Sequence, residues 1–155
     1  MLKRSKLTLI LLTALTTAGL AALAQSDPKP VLTSTAMDWN SVGVKTNATG
    51  SSRKFFEGPT PALDQLECHA STLNPGATNH VILRRANDEV IIVKEGTIEA
   101  FIKDKWVRVG PGSVIFNAAN VLQSMRNPGD TPATYHVITF RPAVALPKPA
   151  IEKAN

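Results

Sequence analysis

Short apolar or alternating runs, bounded by turn residues, follow one another through the middle of this 155-residue chain, at 53–56, 66–73, 89–93, 97–102, 106–109, 113–116 and 134–140. Such spacing predicts an all-β sandwich or barrel. Gly96 and the polar turn Lys103-Asp104-Lys105 make 89–109 read as an antiparallel meander, and Gly110-Pro111-Gly112 breaks the ladder before the next strand. Weak helical patterning is confined to 64–68 and the two ends, and no internal repeat is visible. Alternation assigns faces: if Glu89 points inward, so do Ile91 and Val93, while Val90, Ile92 and Lys94 point outward. Val90 and Ile92 then need cover, which either a neighbouring segment or, in a homodimer, a second copy would supply.

The first residues are set apart from that fold. Lys3, Arg4 and Lys6 precede an apolar run from 7 to 23, and Ala22-Leu23-Ala24 places small residues before Gln25. This pattern predicts a signal peptide over 1–24, an exported product in a periplasmic or extracellular location, and no membrane association after cleavage. Its removal leaves 131 residues and lowers the formal charge from +5 to +2. Without a basic cluster interleaved with aromatics, nucleic acid is not an expected partner. Residues 25–32 read as an extended segment, 33–142 as one β domain and 143–155 as a tail. Cys68 is the single cysteine, so no internal disulfide forms and stability must come from packing.

Two spacing skeletons run through the domain. From Gly76 there are five residues to Ile82, one to Arg84, four to Glu89 and six to Gly96; from Gly112 there are five to Ala118, one to Asn120, two to Gln123 and three to Asn127. These intervals resemble the two signature motifs of the cupin superfamily. The closest local likenesses are the segments 88–96, 111–116 and 127–132. The resemblance covers about 73–140 and implies a double-stranded β-helix, a jelly-roll-like barrel.

In the family, two histidines and a glutamate of the first motif and one histidine of the second hold a metal, a donor set suited to a divalent ion. Here Ile82, Arg84 and Gln123 stand at the histidine positions, and only Glu89 remains at a ligand position. Shifting the first motif by one residue brings in Leu83 and Arg85, which does not restore the histidines. An alkyl chain cannot coordinate, and a permanently charged guanidinium repels a cation.

Two functional readings follow. In the first, the protein binds a small polar or anionic molecule without a metal, using Arg84 or Arg85, Glu89, Gln123 and Asn127. In the second, it is a metal-dependent enzyme of isomerase or dioxygenase type that binds iron, manganese, nickel or zinc through Glu89 with some of His69, His80 and His136. The plainer reading of each residue stands beside these. His80 is a loop residue, His69 shares a polar strand face with Glu67 and Ser71, His136 packs beside Ile138, and Asn127 closes a turn before Pro128-Gly129. An apolar, filled interior would instead indicate a structural role.

Overall fold

The computed structural model describes residues 29–142. The expectations for the signal peptide, the start of the extended segment and the tail from 143 onward lie outside those residues. Within them the chain forms a short 3-10 turn, Trp39–Ser41, and the strands β1 Val44–Asn47, β2 Gly50–Gly58, β3 Leu63–Leu73, β4 Leu83–Arg84, β5 Asp88–Glu95, β6 Ile98–Ile102, β7 Lys105–Val109, β8 Val114–Asn117, β9 Leu122–Gln123, β10 Met125–Arg126 and β11 Ala133–Pro142. The fold is all-β, as the alternating runs predict. Residues 64–68 are strand, because β3 is paired along its length between β2 and β11 and long-range pairing overrides the weak local pattern.

The strands form a six-stranded sheet in the order β1-β2-β3-β11-β5-β8, a three-stranded sheet β10-β6-β7 and a two-stranded sheet β4-β9. This is a jelly-roll-like arrangement in which the strand ladders do not close into a continuous barrel. The expected meander over 89–109 is only half present. β6 and β7 form a hairpin through Lys103 and Asp104, both at positive φ, but β5 pairs with β11 and β8 rather than with β6. Gly96 is where the chain leaves the large sheet for the small one. Its φ is 75°, and a Cβ there would sit 2.7 Å from the Cα of Ala133, so neither the backbone conformation nor the space admits a side chain.

The core lies between the layers. Leu73, Ile91, Val93, Ile115, Ala133, Tyr135 and Val137 of the large sheet meet Ile98, Ala100 and Met125 of the small one. Burial along β5 follows the predicted alternation, with Glu89, Ile91 and Val93 inside. Burial pushes the hydroxyl of Tyr135 up to about 12, so it stays protonated in the core at physiological pH.

Part of the outer face is covered by the segment that precedes β1. Trp39 lies 5.7 Å from His136 and 6.0 Å from Phe55, ring centre to centre, with Arg53 and Lys94 over its own ring. Beyond that cover, Ile92, Val114 and Phe116 are exposed on the β5–β8 side.

Candidate functional site

Four inward-facing polar side chains line up in a single row across the large sheet. Glu67 on β3 is opposite Thr139 on β11, Thr139 is opposite Glu89 on β5, and Glu89 is opposite Asn117 on β8. The neighbouring row, one side chain further along the same face, is His69, Val137, Ile91 and Ile115. The interior therefore changes from apolar core to polar site within one step of about 7 Å along the strands. Residues far apart in sequence share the row because antiparallel register brings them level.

Above this row lies a cavity of about 490 Å³. Glu67, His69, Glu89, Val137 and Thr139 form its floor, and His80 with the stretch 83–87 forms its wall. The interior at this end is neither filled nor apolar. Arg85 Nε lies 3.6 Å from Glu89 Oε1; the carboxylate is buried and the guanidinium nearly half exposed. Burial raises the pKa of Glu89 above the usual carboxylate range, and the nearby charge of Arg85 and amide of Asn117 only partly oppose it. His69 Nδ1 is 3.3 Å from Glu67 Oε1 but makes no aligned hydrogen bond. Burial lowers the pKa of His69 against the pull of Glu67, and lowers that of His80 as well, so both rings are neutral at pH 7. His80 Nδ1 is held 2.7 Å from the carbonyl oxygen of Val81.

The five residues proposed for ligand binding do not all meet in this cavity. Arg85 and Glu89 do. Arg84 reaches its rim, but its Nη1 donates to the carbonyl of Asn120 at 2.6 Å, while Asn120 N donates to the carbonyl of Arg85 at 2.7 Å. Arg84 thus clamps the loop around Asn120, which occupies the left-handed region at φ 64°.

Gln123 is buried, and its Oε1 accepts from Asn117 Nδ2 at 2.6 Å, so it reaches the site only through Asn117. Asn127 does not line the cavity. Its Nδ2 donates to the carbonyls of Leu73, Asn74 and Thr131, and its Oδ1 accepts from Gly129 N, so its side chain is used entirely in closing its own turn and tying it to the end of β3. The ligand role expected of Asn127 is corrected on this ground.

The displaced metal set is corrected likewise. His136 lies on the opposite face of the sheet, stacked on Phe55 at 5.9 Å, and its pKa is lowered by burial and by Lys94. His69, His80 and Glu89 share the cavity, yet among the described residues no three His, Cys, Asp or Glu side chains come together as a metal-holding group. Sequence reasoning assigned no binding role to Glu67, Asn87, Asn117 or Thr139. The one legible signal was the alternation Glu67-His69-Ser71, a polar face where a core strand would be apolar.

The Cupin domain family model matches residues 70–139, the stretch that carries both skeletons, the wall of the cavity and all of the polar row but Glu67. The chain belongs to the cupin superfamily. Solved structures agree on the fold. KdgF from Halomonas sp. superposes with a TM-score of 0.59 at 12% identity, over 72% of this chain and 97% of that one. An RmlC-like cupin from Shewanella frigidimarina gives 0.58 at 12% identity, over 72% and 94%. The polyketide cyclase RemF from Streptomyces resistomycificus gives 0.55 at 13% identity, over 76% and 90%. At these identities the likeness is one of fold. No curated protein matches the sequence.

The family's metal does not fit the residues of this cupin. Of the four ligand positions, Glu89 alone supplies a strong donor, and it faces the Arg85 guanidinium; Ile82 cannot coordinate, Arg84 is cationic and Gln123 is engaged with Asn117.

Proposed function

We propose that this cupin is an exported protein that binds a small polar or anionic molecule in the cavity above Glu89, without the metal its family uses. The observation that carries this reading is the Arg85–Glu89 pair, which sets a half-exposed guanidinium beside the polar row. A guanidinium in this position offers paired N–H donors to a carboxylate or phosphate. Glu67, neutral His69 and His80, Asn87 and Thr139 supply acceptors and donors for hydroxyl or amide groups around it. Arg84 and Gln123 support the site by holding the Asn120 loop and Asn117. Export rests on the charged, apolar and small-residue pattern of residues 1–24.

A thermal-shift screen of the mature chain against organic acids, sugars, sugar acids and amino acids tests the proposal. At least one anionic class should raise the melting temperature, and Arg85→Gln should abolish that rise. No response across the panel would overturn the reading.

We further propose a homodimer through the outer β5–β8 face, where exposed Ile92, Val114 and Phe116 form an apolar strip. Sedimentation equilibrium checks it. A monomer at high protein concentration refutes it.

A further inference from the structure

The inner face of the large sheet does not end at β3. Lys54 on β2 is level with His69, Ser52 with Ser71, and Lys45 on β1 with Ser52, so all of these side chains continue the face that carries the polar row. Over them lies a second cavity, of about 420 Å³, which has Glu67 and His69 in common with the first.

We propose that the two cavities are one elongated binding site, with Arg85 at one end, Lys45 at the other and His69 at the junction, and that its ligand is a linear molecule carrying an anionic group at each end. This rests on the reading of the first cavity as an anion site. The charge balance supports it: Arg84, Arg85, Lys45 and Lys54 line the combined space against two carboxylates, Glu67 and Glu89. Lys54 is already engaged, 2.6 Å from Glu57. Lys45 makes no ion pair in the described residues, which leaves its ammonium as the counter-charge for a ligand.

The two ends are well separated. Lys45 is on β1 and Arg85 stands beside Glu89 of β5, four strands away in the sheet order and roughly 19 Å at the usual inter-strand spacing, so a short diacid cannot reach both ends even with the two long side chains turned toward each other. Between them, the buried Nδ1 of His69 makes no aligned hydrogen bond, its nearest acceptor being Glu67 Oε1 at 3.3 Å. With its ring neutral, a hydroxyl or amide in the middle of the ligand would satisfy it.

Calorimetric titration of the mature protein with straight-chain dicarboxylates from succinate to sebacate, with monocarboxylates of equal length as controls for apolar contact, tests this. Long diacids should bind about fivefold more tightly than both succinate and the matched monoacids, the scale of one exposed ion pair. Lys45→Gln should bring them down to the affinity of succinate, whereas Arg85→Gln should weaken every acid. If succinate binds but length confers no gain, or if the gain survives Lys45→Gln, the second compartment is refuted and the first reading stands. If no acid binds at all, both fall.

Discussion

Arg85 and Glu89 face each other at 3.6 Å across the stretch that leads into β5, a guanidinium nearly half exposed and a carboxylate almost fully buried. The asymmetry matters because the two groups answer to different media. Glu89 carries the desolvation cost, while Arg85 retains water and the freedom to share its donors with a ligand.

Removing the cation should therefore harm Glu89 more than the fold as a whole. Arg85→Ala is expected to destabilise the protein by about 1 kcal/mol, well below the value for a fully buried pair because solvent already screens the guanidinium. Urea denaturation at pH 7 measures it. The same variant should lose all response to anionic ligands.

The raised pKa of Glu89 fixes the sign of a pH effect. Its folded-state pKa lies above the unfolded value of about 4.3, so the native state favours the protonated form. That contribution is fully present below the unfolded pKa and is lost as pH rises through the folded pKa. Glu89→Gln has no such loss, so its melting temperature relative to the parent should climb between pH 4 and pH 7. A difference that stays flat across that range would contradict the assignment.

Asn127 should behave as a structural residue. Asn127→Ala leaves buried carbonyls of the Leu73–Asn74 and Thr131 turns without their shared donor, and the expected cost is about 3 kcal/mol. Chemical denaturation reads this directly. Below its lowered melting temperature the variant should bind ligand as the parent does.

Metal retention is the fourth expectation. After incubation with iron, manganese, nickel or zinc and desalting, elemental analysis should find well under one equivalent per chain. A full equivalent that disappears in Glu89→Ala would show that the donor set works despite its substitutions.

Much of the fold was legible because it is written in local rules. Gly76, Gly96 and Gly112 all adopt positive φ, so the spacing skeleton marks places where the backbone turns in a way other residues resist. The inward set Glu89, Ile91 and Val93 followed from period-two alternation alone. The meander reading failed at Gly96 because alternation describes each strand and is silent about its partner. β5 and β6 are adjacent in sequence but belong to different sheets.

The site was legible in part. Glu89 stood out because it alone keeps the family's donor pattern, and the arginines because they stand where that pattern is lost. Which arginine faces Glu89 was not decidable, since Arg84 and Arg85 are adjacent and their directions depend on the Asn120 loop, which takes up Arg84. Asn127 looked like a ligand group because its type and position fit one; burial among carbonyls made it a turn clasp instead.

The sequence by itself determined the all-β architecture, the turn glycines, the inward face of β5 and the loss of imidazoles from the family's ligand positions, because each depends on residue type and near-neighbour spacing. Only the tertiary structure decided that Glu67, Thr139, Glu89 and Asn117 form one row, because antiparallel register joins strands separated by up to some seventy residues. That pairing is a long-range choice, made by the packing of the core as a whole.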